Sequence, residues 1–99
     1  MANYFFTQKA VEDLSHIYEY TYLMWSEKQA DKYYKALINM CEYIAKTPKS
    51  GKKYNEVAAE LHGISYNRHI IFYRIINLNQ VEIVRILGAE MDLKNRMKD

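Results

Sequence analysis

The apolar residues of this chain keep one period as far as Ala45 and another from Leu61 onward, and that single change limits the folds open to it. From Gln8 to Trp25 they recur at helical spacing: Val11, Leu14, Ile17/Tyr18, Thr21, Met24/Trp25. Thr7 stands where a helix N-cap belongs, and Glu12 and Asp13 sit in the early turns, where the helix dipole favours acids. Ser26-Glu27-Lys28-Gln29 then has the S-x-x-Q form of a capping box. It opens a second helical run at Ala30, Tyr33/Tyr34, Leu37/Ile38, Met40/Cys41 and Ile44/Ala45, which Pro48 and Gly51 end. With only a residue or two between them, the two helices should fold back as an antiparallel hairpin.

After Lys52-Lys53 a loop or short turn runs through Tyr54 to Glu60. Residues Leu61 to Tyr66, Arg68 to Ile76 and Val81 to Leu87 are dominated by β-branched and aromatic side chains and read as three strands, with Asn77-Leu78-Asn79-Gln80 as a hairpin turn. Tyr4-Phe5-Phe6 is a short strand at the other end, and Glu90 to Asp99 is a polar tail. Helices precede most strands instead of alternating with them. The expected class is α+β: an N-terminal strand and an antiparallel helical hairpin packed on a small antiparallel sheet. A chain of 99 residues has room for one such domain, spanning 1–99.

Charge narrows the function. The net charge is +2, too small to mark a nucleic-acid binder by itself. The first fifty residues are neutral, and the excess lies in the second half. A lone cysteine, Cys41, on a helical apolar stripe suits a reducing compartment and a buried hydrophobe better than a disulfide or a nucleophile. The N-terminus lacks a basic, long-apolar leader, and no stretch reaches the roughly 18 apolar residues needed to span a bilayer, so a cytoplasmic protein without a membrane partner is expected. His16, His62, His69 and Cys41 form no short-spaced ligand pair, so no metal or cofactor is expected.

The residues that ask for a partner are arginines. Alternation puts Arg74 on a face with Ile70, Phe72 and Ile76, and Arg85 on a face with Val81, Ile83 and Leu87. A cation on an apolar face requires a counter-charge or an anion. Glu90 or Asp92 could pair Arg85; alternatively Arg68, Arg74 and Arg85, with Lys52 or Lys53, line a basic concave surface. Among the ten tyrosines, Tyr18, Tyr33 and Tyr34 lie on or beside the stripes and read as core, while Tyr20, Tyr22 and Tyr43 read as exposed contact area for a protein partner.

Taken in order, these pieces resemble the ParE toxins of the ParE/RelE superfamily. The residues that carry the resemblance are Ala10-Val11-Glu12-Asp13-Leu14 with Ile17 and Tyr20, Trp25 to Ala30 with Tyr33, and Leu37, Cys41-Glu42, Ala45, Pro48 and Gly51. They continue with Arg68 to Arg74, then Val81 to Leu87 with Met91-Asp92. The resemblance implies a RelE/ParE-like fold and the toxin of a type II toxin–antitoxin system of the plasmid-stabilising kind. It implies inhibition of DNA gyrase without catalysis, neutralisation by a ParD-like antitoxin in a hetero-oligomer, and no sequence-specific DNA contact by the toxin itself. Arg68, Arg74, Arg85, Met91, Asp92 and Leu93 are then expected to meet the target, and Tyr20, Tyr22 and Tyr43 the antitoxin. The alternative within the superfamily is a RelE-like ribosome-dependent mRNA endonuclease. That chemistry needs an acid/base pair as well as cations. Gly88 stands where a histidine is common in ParE-like chains, and no histidine or tyrosine follows the last strand. His62, His69 and Tyr66 are the groups left for such a role.

Overall fold

The computed structural model describes residues 2–89; Met91, Asp92 and Leu93, with Glu90, lie outside the described residues. Strand β1 (Asn3–Phe6) leads into helices α1 (Gln8–Met24) and α2 (Glu27–Lys46), a single 3₁₀ turn (Pro48–Ser50), and strands β2 (Lys52–Lys53), β3 (His62–Tyr66), β4 (His69–Asn77) and β5 (Gln80–Gly88). The caps fall where the sequence puts them. Thr7 Oγ1 accepts from Ala10 N–H at 3.1 Å and Ser26 Oγ from Gln29 N–H at 3.1 Å, which supplies helix-end donors with partners.

The five strands form one sheet in the order β1-β5-β4-β3-β2. It is mixed. The strands after the helices pair antiparallel, but β1 runs parallel to β5, with Tyr4 opposite Val81 and Phe6 opposite Ile83. The hairpin α1–α2 carries the chain from β1 at one edge to β2 at the other, and β2 to β4 then lead back to β5 beside β1, a connection long enough for the parallel pair. Lys52-Lys53, to which the sequence assigns no element, adds a two-residue strand against Gly63 and His62.

Both faces of the sheet are covered. Leu14, Leu37, Cys41 and Ile44 from the helices pack with Ile71, Tyr73, Val81, Ile83 and Ile86. On the other face Leu61, Ile70, Phe72 and Leu87 pack under Tyr54, Val57 and Ala58. The segment expected to be a plain loop thus covers the sheet's second face, which explains why four consecutive residues, Ile70 to Tyr73, are all buried. Tyr73 ties the layers together: its hydroxyl donates to the Pro48 carbonyl at 2.6 Å and accepts from Gly51 N–H at 3.1 Å. The backbone comes so close there that a Cβ on Gly51 would collide with the Tyr73 hydroxyl.

The face assignment for β5 needs one correction. Phe72 pairs with Arg85 and Tyr73 with Ile83, so Val84 is an extra residue, a β-bulge. A bulge shifts the alternation by one. Val81 and Ile83 face the helices, whereas Arg85 falls opposite Phe72 and Leu87 opposite Ile70 on the other face. The stripe on α1 also stops short. Ala10, Asp13 and Leu14 are buried, but Val11, Met24 and Trp25 are exposed. Tyr34, read as core, is exposed as well.

Candidate functional site

Where α1 leaves the core, it builds one wall of an open groove. Its last turns supply His16, Ile17, Tyr20 and Thr21, the junction supplies Trp25, and α2 supplies Gln29 and Tyr33. The opposite wall is the β3–β4 turn, Asn67 to His69, with Gly88 and Ala89 at the end of β5. The groove holds about 770 Å³. Asn67 makes the turn tight: it adopts φ 53°, in the left-handed region that asparagine tolerates better than most residues. That turn carries Arg68 to the rim, and Ala89 N–H donates to the Arg68 carbonyl at 2.8 Å, fixing the end of β5 to it.

The floor is held by a polar pair. Tyr33 Oη lies 2.7 Å from His69 Nδ1, with the ring centroids 5.6 Å apart. Burial lowers the His69 pKa, so the ring stays neutral and Nδ1 can accept the Tyr33 proton. Burial also raises the Tyr33 hydroxyl, which keeps it a donor. On the rim Tyr20 is 63% and Trp25 76% exposed. Large aromatic side chains left in water on one wall, with a guanidinium on the other, suit a chain segment that offers an apolar anchor and a carboxylate.

The three arginines are held in three different ways. Arg68 lines the groove. Arg74 Nε donates to the Ala59 carbonyl at 3.2 Å, over the segment that covers the second face. Arg85 is 6% exposed and makes a two-point contact with Asp13: Nε to Oδ2 at 2.8 Å and Nη2 to Oδ1 at 2.9 Å. Asp13 Oδ2 also accepts Ile86 N–H at 3.0 Å, at the stretch of β5 that β1 no longer covers. A counter-charge for Arg85 thus comes from the first helix, whereas Glu90 and Asp92 lie outside the described residues. An acid two turns into a helix gave no hint of this, because the pair spans most of the chain.

Tyr20 faces the groove, while Tyr22 and Tyr43 are exposed on the helices outside its lining. Sequence reasoning missed Trp25, Tyr33 and Gln29 as groove residues. The available signal was the run Tyr20 to Trp25, in which five of six residues are large and apolar. One helix face cannot bury such a run. Burial pushes the Cys41 thiol up to about 12, as befits a core hydrophobe. Among the described residues no group of three or more His, Cys, Asp or Glu could hold a metal ion, and no helix is long and apolar enough to cross a membrane.

Comparison with known proteins gives this arrangement its class. The fold matches a solved structure from the chromosomal ParDE TA system of P. aeruginosa with a TM-score of 0.78 at 17% identity, covering 91% of this chain and 98% of that one. Residues 4–93 match the family model described as ParE toxin of type II toxin-antitoxin system, parDE. The chain belongs to the ParE toxin family. Two relatives called Toxin ParE1, from Mycobacterium tuberculosis strains CDC 1551 / Oshkosh and ATCC 25618 / H37Rv, are each 26% identical over 96 residues, covering 97% of this chain and 98% of theirs.

Proposed function

We propose that this chain acts in the cytoplasm as a single toxin domain, 1–99, that inhibits DNA gyrase by binding and is silenced by a ParD-like antitoxin. The observation that carries the reading is family membership over residues 4–93. The similar P. aeruginosa protein comes from a ParDE system, which supports a ParD-type partner. The groove supports a peptide-like occupant, with Tyr20 and Trp25 as anchors and Arg68 as the charge that orients an acidic segment. Tyr22 and Tyr43 extend that contact along the hairpin. Arg68, Arg74, Met91, Asp92 and Leu93 are proposed to meet the target, and Arg85 to contribute through its place beside the end of β5.

Binding without catalysis is favoured by how the ionisable groups are engaged. Arg85 is buried, held at two points by Asp13 and outside the groove's lining, so it is not presented there to stabilise a phosphorane. The test is induction of the chain alone in bacteria with DNA and protein synthesis pulse-labelled side by side, together with a supercoiling assay on purified gyrase. DNA synthesis should stop first and supercoiling should be inhibited. Translation stopping first, with gyrase untouched, would sink the gyrase reading. Co-expression of a ParD-like protein should restore growth and co-purify with the chain.

A further inference from the structure

A second cleft lies away from the groove, and its chemistry is different. Lys46, Lys49, Lys52 and Lys53 fall within eight positions and all four are exposed. The whole chain has a net charge of only +2, so the rest of it is net negative and this run is a segregated positive edge. Among the described residues none of the four is ion-paired. Two of them, Lys49 and Lys53, line one concavity and focus a positive potential into it, while Lys46 and Lys52 extend the edge beyond it.

The concavity is an open cleft of about 540 Å³ lined by Lys49, Lys53, Asn55 and His62, with Glu60 and Ile75. His62 is stacked on Tyr73, with ring centroids 5.5 Å apart, and its Nδ1 is buried without a hydrogen-bond partner. His62 thus joins two ammonium groups and the Asn55 amide around the cleft. Glu60 is the acid on its rim, held by a left-handed backbone at φ 57°.

We infer that this cleft and its lysine edge bind the phosphodiester backbone of duplex DNA without reading its sequence. Several cations spread along an edge suit a repeating polyanion, and backbone contacts alone carry affinity without base specificity. Two features favour a duplex over other polyanions. An acidic peptide would need apolar anchors, and Ile75 is the cleft's apolar lining residue. A single strand would need a free ring for its bases. Among the described residues, no aromatic side chain but His62 lines the cleft. Tyr54 nearby is occupied, with Phe72 packed against it at 5.2 Å and Lys52 Nζ 5.2 Å from its centroid, and the exposed Tyr43 stands outside the lining. This site does not depend on which target the toxin has.

The test is fluorescence anisotropy of the purified full chain with a labelled mixed-sequence duplex, titrated between low and moderate salt. About three neutralised phosphates predict roughly a 40-fold loss of affinity for a fourfold rise in salt. Changing Lys49→Gln and Lys53→Gln together should reduce that response to about 3-fold and weaken low-salt binding by roughly tenfold or more. The matched pair Lys28→Gln and Lys35→Gln, on exposed positions of α2, should leave both unchanged. Circular-dichroism melting should be the same for all three proteins. The inference is overturned if the duplex does not bind, if the α2 pair weakens binding as much as the cleft pair, or if single-stranded RNA of equal length binds more tightly. Polyglutamate competing as well as the duplex would overturn it too.

Discussion

Arg85 and the groove are three residues apart along β5, yet they treat charge and apolar surface in opposite ways. At Arg85 a guanidinium is almost fully withdrawn from water and held at two points by Asp13. At Gly88 and Ala89 the strand ends in an open groove where Trp25 and Tyr20 remain in solvent and Arg68 sits on the rim. The first arrangement fixes the first helix to the last strand. The second leaves aromatic area and a cation unused by the fold. Number and type of charges do not separate the two; burial and the identity of the partner do.

The largest expected effect breaks the closed region. Asp13→Ala removes a two-point carboxylate from a buried guanidinium and the acceptor of the Ile86 N–H, and should cost about 3–5 kcal/mol in urea unfolding. Replacing both partners, Asp13→Leu with Arg85→Met, should cost much less, because no charge is then left uncompensated. Equal losses for the single and the double substitution would show that the geometry, not the charge, holds this corner. Next in size is Tyr73→Phe. It removes the donor to Pro48 and the acceptor for Gly51 without changing the core volume appreciably, and should cost about 1–3 kcal/mol.

These two sites also mark how far the sequence could be read. The helices, their caps and the three long strands follow from periodicity and cap residues, which are local signals. The parallel pairing of β1 is not local, since nothing in Tyr4-Phe5-Phe6 says which strand it meets. The bulge at Val84 leaves only a faint mark, two apolar residues in succession at Ile83-Val84, which a strand buried on both faces also shows. Its effect is to break the alternation at Arg85, which Asp13 meets at the edge of β5 that β1 leaves open, across 72 positions of sequence. For the groove, Tyr20 and Arg68 were legible as an exposed aromatic and a turn cation. Their meeting was not, because it depends on the Asn67 turn and on where α1 outruns the sheet.

A smaller effect probes the groove's floor by pH. Burial lowers the folded-state pKa of His69 below its ordinary value of about 6.5. The unfolded chain therefore binds a proton at a pH where the folded chain does not. The contribution of His69 to stability is present above about 6.5 and is lost as pH falls through the folded-state value. Protonation also removes the lone pair that accepts from Tyr33. The wild-type minus His69→Gln difference in unfolding free energy should thus shrink from pH 7.5 to pH 5. A difference that grows on acidification would mean the ring is charged in the folded state.

The smallest effect on stability is expected in the open region, and it is the most informative. Trp25→Ala and Arg68→Ala remove exposed side chains that the core does not use, so each should change unfolding free energy by no more than about 0.5 kcal/mol. If the groove receives the antitoxin, the same substitutions should weaken that complex by about 2 kcal/mol, roughly 30-fold, with Trp25→Ala the more damaging because a buried tryptophan is a typical interface anchor. Calorimetric titration of the folded variants with a ParD-like protein separates the two quantities. Unchanged affinity in both would place the antitoxin elsewhere on the hairpin and make Tyr22 and Tyr43 the next positions to change. A large loss of stability in either would show that the groove wall supports the fold after all, and the contrast with the Asp13–Arg85 corner would fail.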